Sequence, residues 1–185
     1  MNHTSHPLTW QMLSEETIIK DSWIDLRASK CRLPNGIEIE PFYVNYMPDS
    51  VAGVAVTVDH HVILVRQYRH GTRKVLLEIP AGGVEKGEDP VAAVVRELEE
   101  ETGCKAGSIE FLCKIAPNSS NCSSYAHCYL ARNVVRVGEQ HLDETESLEV
   151  VEMEAEQVKA LLRQGGFEQS VHVAALYSAM DRGAL

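Results

Sequence analysis

Basic side chains are in short supply: 17 lysines and arginines stand against 27 aspartates and glutamates, a formal net charge of −10 with neutral histidines. A surface of that sign repels phosphate, which argues against general affinity for nucleic acid or anionic membranes. A phosphorylated ligand would need local arginines or divalent cations to hold it. Long hydrophobic runs are also missing: no stretch approaches the ~20 apolar residues that span a bilayer. Met1 to Trp10 has no basic segment leading into an apolar one, so no secretory signal is expected. The five cysteines (Cys31, Cys104, Cys113, Cys122, Cys128) are odd in number and form no C-x-x-C pair. Free, mostly buried thiols in a reducing cytoplasm are therefore expected, and the N-x-S/T triplets at Asn2, Asn118 and Asn121 read as chance matches. There is no internal repeat, no long Pro/Ser linker and no like-charge block of tail length.

The 185 residues suffice for one domain with an appendage, and 44% apolar with 24% charged content is ordinary for a globular chain. Short strands are expected at Thr17–Lys20, Trp23–Cys31 and Ile37–Val44, with Pro34-Asn35-Gly36 as a tight turn. Val51–Val58 and Val62–Tyr68 read as a hairpin around Asp59-His60-His61; Leu76–Ile79 is a further strand, ended by a turn at Pro80-Ala81-Gly82-Gly83. The period then changes. Val91, Val94, Val95 and Leu98 share one helical face over Pro90–Thr102, with Asp89 as N-cap and Gly103 just past the end. Strands are expected again at Ile109–Ile115, Ala126–Ala131 and Leu148–Met153, and helices at Glu154–Arg163 and Val171–Met180. Mixed strands and helices in this order give an α+β fold.

Glu97, Glu100 and Glu101 fall on one face of the first helix at i, i+3 and i+4, while Glu99 points elsewhere. Like charges at that spacing repel, and the C-terminal half of a helix disfavours anions. Either the face is simply solvated, or it is an oxygen-rich site for a hard cation such as Mg²⁺ or Mn²⁺, with Arg96 orienting a carboxylate. The glycine-bearing loop before the helix lets backbone approach a ligand closely.

Gly82 to Cys104 reads GGVEKGEDPVAAVVRELEEETGC and resembles the Nudix box, G-x5-E-x7-R-E-U-x-E-E-x-G-U with U aliphatic. Gly82, Glu88, Arg96, Glu97, Leu98, Glu100, Glu101 and Gly103 occupy its fixed positions; Cys104 departs from it, standing where an aliphatic residue is usual. The resemblance implies an α/β/α sandwich around a mixed sheet, and hydrolysis of a nucleoside diphosphate linked to another moiety. It further implies metal ligation by Glu97, Glu101, Glu100 and the Ala81 carbonyl, with Gly82, Glu88 and Arg96 in support.

Val65–Arg69 and Leu77–Gly82 are similar to the strands that precede the box in the ADP-ribose and ADP-sugar pyrophosphatase branch. Arg69 is either a phosphate-binding residue, since a fixed guanidinium fork fits phosphate, or a surface arginine ending a strand, and Glu78 stands with it as a substrate-binding candidate. The likeness implies a β-rich segment 1–48 that pairs two copies into a homodimer, ahead of a hydrolase domain at 49–185. The branch takes its general base from an acidic loop after the box. Asp143-Glu144-Thr145-Glu146 is similar to that loop, with Glu144 the first choice as base and Glu146 the second or a metal ligand; Glu100 joins them among the catalytic candidates. Ala116-Pro117-Asn118 and the polar residues to Ser124 stand where the branch commonly has Ser-Pro-Gly, which leaves the terminal group of the substrate open. GDP-mannose, a dinucleoside polyphosphate or a capped RNA end are alternative substrates, and a nucleotide-sensing domain without catalysis is an alternative function. No nucleic-acid or membrane partner is expected.

Overall fold

Strands occupy most of the chain up to the carboxylate helix, as the β-branched runs require. The computed structural model describes residues 6–185, so the Asn2 triplet lies outside it. Two compact units can be recognised; one ends at Met47 and takes in Asn118–Ser124, and the other holds Pro48–Pro117 and Tyr125–Leu185.

The first unit is an antiparallel sheet of β1 (Gln11–Lys20), β2 (Asp25–Arg32) and β3 (Glu38–Asn45), with β2 in the middle. Asn45 ties the Asn118–Ser124 segment to the end of β3: its N–H donates to the Asn121 carbonyl (2.8 Å), and its own carbonyl accepts from Ser123 N–H (3.1 Å). The sequence placed this segment in the main domain. β1 runs longer than its apolar residues suggested, because Glu15, Glu16 and Thr17 continue the ladder opposite Ser29, Ala28 and Arg27. Trp10, Met12, Ile18, Ile19, Ile37 and Tyr43 leave large apolar surface exposed here.

The second unit is built on an eight-stranded mixed sheet. Its strands are β4 (Ser50–Thr57), β5 (His61–Arg69), β6 (Lys74–Glu78), β7 (Ala81–Gly83), β8 (Cys104–Lys105), β9 (Ser108–Ile115), β10 (Ala126–Arg136) and β11 (Leu148–Glu154). The central path runs β11-β5-β4-β10-β8, with β4 and β10 parallel and the other pairs antiparallel. Residues of β4 alternate between two cores. Val51 and Ala55 face α1 (Pro90–Thr102), whereas Ala52, Val54 and Val56 face α2 (Ala155–Arg163) and α3 (Ser170–Asp181). Helices on both faces of a mixed sheet make the α/β/α sandwich that the box implied.

Two local expectations change. Ala81–Gly83, read as a turn, is a short strand against Ser50–Ala52, so the segment entering the box is held by sheet hydrogen bonds. α1 also buries a different face: Ala93, Val94, Leu98, Glu97 and Glu101 point inward, while Val91 and Val95 stay exposed. The helix is rotated toward its carboxylates, at a cost in apolar burial that needs a functional reason. Its caps are as expected: the Asp89 side chain accepts from Val91 N–H at 2.8 Å, and Gly103 has φ 69°. A Cβ at 103 would lie 2.4 Å from the Gly138 carbonyl oxygen, so only glycine fits.

Candidate active site

β7 and the inner face of α1 form the floor of the site. Glu97 lies against Gly82 so closely that a Cβ there would be 2.1 Å from the Glu97 carboxylate. Glu101 is 4% exposed, and its Oε2 accepts from Ala81 N–H at 2.9 Å. The box glycine and the residue before it thus serve as backbone seats for two carboxylates.

Arg96 uses all five of its N–H groups. Nε and Nη2 bind the two oxygens of Glu88 (3.0 and 3.1 Å), Nη2 also reaches the Gly83 carbonyl (2.9 Å), and Nη1 binds Glu97 Oε1 (2.8 Å) and Glu100 Oε2 (2.9 Å). This saturated fork pins the entry loop to the helix and gathers two acids on one nitrogen. Among the described residues, Glu97 Oε2, Glu100 Oε1 and Glu101 Oε1 accept no hydrogen bond. Each of these three helix glutamates therefore has one oxygen tied down and one uncommitted.

The carboxylates feel one another. Burial pushes Glu97 above the usual carboxylate range against its Arg96 hydrogen bond, and Glu100 and Glu146 add repulsion. Burial pushes Glu101 up to about 8; the Ala81 amide and Arg69 oppose the shift, while Glu97 and Glu146 reinforce it. An all-oxygen set whose negative charge is under-compensated fits a hard divalent cation.

Glu146 comes from the loop before β11, an Asp143–Glu146 turn closed by Glu146 N–H to the Asp143 carbonyl (2.9 Å). The chain leading into that turn is anchored to α1 through His141 N–H on the Glu100 carbonyl (2.8 Å) and Gln140 Nε2 on the Glu101 carbonyl (2.7 Å). Neither anchor was singled out in the sequence. Glu146 is among the charges that act most on Glu97, Glu101 and Arg69. Glu144 is not among them; both glutamates are exposed in the same turn.

Arg69 closes β5 and Glu78 closes β6, and the two strands pair antiparallel. Glu78 is 1% exposed and takes Arg69 Nε on both oxygens (3.0 and 3.2 Å) and Nη2 on Oε2 (2.6 Å). Arg69 Nη1 is left over, and Arg69 also feels Glu101 and Glu146. Buried His172 of α3 lies behind this pair, 3.9 Å from Glu78 Oε2. It was unremarkable in the sequence, a lone histidine in an apolar helix.

Other polar clusters lie apart from the box. His127 Nε2 pairs with Asp49 Oδ2 at 2.8 Å, as a histidine at the sheet surface. Asp59, His61 and Glu152 bring one ligand-type atom each within 4.8 Å of one another, at the β4–β5 turn and on β11. The five cysteines are free.

Comparison with known proteins places this geometry in a family. Residues 47–174 match the NUDIX domain, and residues 10–45 match the nucleoside diphosphate sugar hydrolase N-terminal domain. An ADP-ribose pyrophosphatase of Bacillus subtilis (strain 168) is 34% identical over 151 residues, 81% of either chain. The ADP compounds hydrolase NudE of Escherichia coli (strain K12) is 28% identical over 168 residues, 90% of this chain and 89% of that one. A methanol dehydrogenase activator of Bacillus methanolicus is 34% identical over 142 residues, 76% of either chain. A crystal structure of an ADP compounds hydrolase superposes with a TM-score of 0.83 at 26% identity, covering 98% of this chain and 100% of that one.

Proposed function

The chain belongs to the Nudix hydrolase family, and from that premise we propose that it cleaves the diphosphate linkage of ADP-ribose or a related nucleoside diphosphate sugar. The products are a nucleoside monophosphate and a sugar phosphate. The observation that carries this reading is the trio Glu97, Glu100 and Glu101, each holding one oxygen on Arg96 or Ala81 and leaving one uncommitted. These glutamates and the Ala81 carbonyl would hold divalent ions, Mg²⁺ or Mn²⁺. Such ions neutralise the diphosphate and lower the pKa of the attacking water.

The chain's own residues do the rest. Arg69, held by Glu78 in the free protein, offers its guanidinium fork to the diphosphate. Arg96 and Glu88 keep Glu97 and Glu100 in register with Gly82. We assign the base to Glu146, because its charge reaches Glu97, Glu101 and Arg69; Glu144, two residues earlier, is the alternative. The base takes a proton from water, the water oxygen bonds to phosphorus, and the bridging oxygen leaves with its electron pair on the other phosphate.

Segment 1–48 would serve as the pairing part of a homodimer, supported by the exposed apolar side chains of β1 and β3, and 49–185 as the hydrolase. Five free thiols fit a reducing compartment, and we assign the protein to the cytoplasm. Among the described residues no helix is long and apolar enough to cross a membrane.

A panel of nucleoside diphosphate derivatives, assayed chromatographically with Mg²⁺ and with Mn²⁺, tests the proposal. Release of AMP and sugar phosphate from ADP-ribose or another ADP-sugar is expected. Cleavage of only GDP-mannose or dinucleoside polyphosphates would move the substrate. Nucleotide binding without any cleavage would make the protein a sensor and overturn the proposal.

A further inference from the structure

His172 is buried beside Glu78, the carboxylate that holds Arg69, yet the proposed hydrolysis makes no use of it. It is 2% exposed, and its Nδ1 has no hydrogen-bond partner among the described residues. Buried polar atoms are nearly always bonded, so such an orphan calls for a reason. Nδ1 faces Glu78 Oε2 across 3.9 Å, about 1 Å beyond hydrogen-bond contact. That same oxygen accepts the 2.6 Å bond from Arg69 Nη2. Glu78 therefore lies between two nitrogen groups and is bonded to one.

A diphosphate changes this balance. Its oxygens suit the Nε/Nη2 edge of a guanidinium as well as a carboxylate does, so it competes with Glu78 for Arg69. A carboxylate 1% exposed cannot be left charged and alone without a large penalty. The nearest group able to compensate is His172.

We propose that His172 is a positioning residue for substrate binding: when the diphosphate draws the Arg69 fork away, Glu78 turns to His172, which takes up and keeps one proton from solvent and, as imidazolium, hydrogen-bonds Oε2 through Nδ1–H. Charge balances on both sides. Before binding, Arg69 and Glu78 form the ion pair and His172 is neutral. Afterwards Arg69 pairs with the diphosphate, and Glu78 with the imidazolium. The inference rests on the reading of Arg69 as a diphosphate ligand.

The surroundings of His172 support two states. Burial holds it down at about 4, with Glu78 pulling upward and Arg69 pushing downward. Moving Arg69 away and freeing Glu78 both raise it. These two, from β5 and β6, are the charged groups that act on the ring. Among the described residues, the buried acidic or basic side chains besides His172 are Glu78 and the box glutamates Glu97 and Glu101, and the core that α3 shares with β4, β9 and β10 includes the thiols Cys113 and Cys128. Burial pushes the Cys128 thiol up to about 12.

The ligand-bound protein then holds one more proton than the free protein, so affinity weakens as pH rises between the two His172 values. The experiment measures kcat and KM for ADP-ribose from pH 5.5 to 8.5 with saturating Mg²⁺. Both phosphates of that linkage are esterified and do not titrate in this range. Wild-type KM is expected to rise with pH, by up to about tenfold per unit. His172→Gln, which can donate to Glu78 but takes no proton, is expected to lose the His172 slope, the change showing in KM rather than kcat. Contributions of the metal-site carboxylates are common to both proteins and cancel in the comparison.

Glu78→Gln removes the charge that demands the proton. It is expected to flatten KM likewise, and the double variant to go no further. Should His172→Gln fold poorly, calorimetry with a methylene-bridged ADP-ribose analogue in two buffers of different protonation enthalpy reads the proton directly: uptake in wild type, none in Glu78→Gln. A wild-type slope retained in His172→Gln or Glu78→Gln, or binding without proton uptake, overturns the proposal. Arg69→Ala separates the two levels. If it leaves KM at the wild-type value, the role of Arg69 falls and this inference with it; if it raises KM while His172→Gln keeps the slope, only the role of His172 falls.

Discussion

At the scale of single residues, the site is decided by how little space and how few hydrogen bonds the carboxylates are allowed. Gly82→Ala places a methyl group 2.1 Å from the Glu97 carboxylate, so Glu97 must swing away. We expect kcat to fall by about a hundredfold, in keeping with losses on disturbing ligand orientation, with little change in far-UV circular dichroism. Glu101→Gln keeps the Ala81 hydrogen bond but removes a charge from the cluster. Turnover should fall by about a hundredfold or more, with weaker Mg²⁺ binding by calorimetry; wild-type rates would rule out the mechanism. Glu146→Gln should lower kcat by about a hundredfold while metal binding survives, and Glu144→Gln by no more than a few-fold. The opposite ranking in steady-state assays would move the base to Glu144.

At the scale of elements, α1 trades apolar burial for chemistry. Exposed Val91 and Val95 border a groove of about 780 Å³ along its outer side, while Glu97 and Glu101 take inward positions beside Val94 and Leu98. Its stability then leans on its ends. Asp89→Ala removes the acceptor for Val91 N–H and should cost about 1 kcal/mol in urea unfolding, with activity per folded molecule nearly unchanged. A loss of activity without loss of stability would place Asp89 in the site instead. β7 shows the other elemental device: three residues of strand against β4 hold Gly82 and Ala81 still while carboxylates lean on them.

At the scale of the whole molecule, the proposed binding of a polyanion by a chain of charge −10 is reconciled at one place, where Arg69 and the box carboxylates proposed as metal ligands stand together. The buried layers also set the acid limit of the fold. His172 is held at about 4 against 6.5 in an unfolded chain, so the unfolded state binds a proton first as pH falls. The His172 contribution is complete above about pH 6.5 and is lost downward through 4, by on the order of 3 kcal/mol, whereas Glu101, raised to about 8, contributes in the opposite sense. The two are separated by comparing wild type with His172→Gln in thermal melts between pH 7 and pH 4: the variant should lose less stability, or gain more, toward pH 4 than wild type. Light scattering should find a dimer; a clean monomer would contradict the role given to segment 1–48.

The chain order of residues was enough to find the box, because its eight fixed positions match the family pattern over one contiguous segment, Gly82 to Cys104, whatever the fold around it. It was enough for the caps of α1, since Asp89, Pro90 and Gly103 act on backbone within a few residues of themselves. Which face α1 buries was not legible, because four valines and leucines and three glutamates compete for the interior, and only the sheet and Arg96 decide between them. The same holds for β7, for the Asn118–Ser124 segment on β3, and for His172 behind Glu78. Each depends on a partner far away in sequence, and a contact of that kind leaves no periodicity to read.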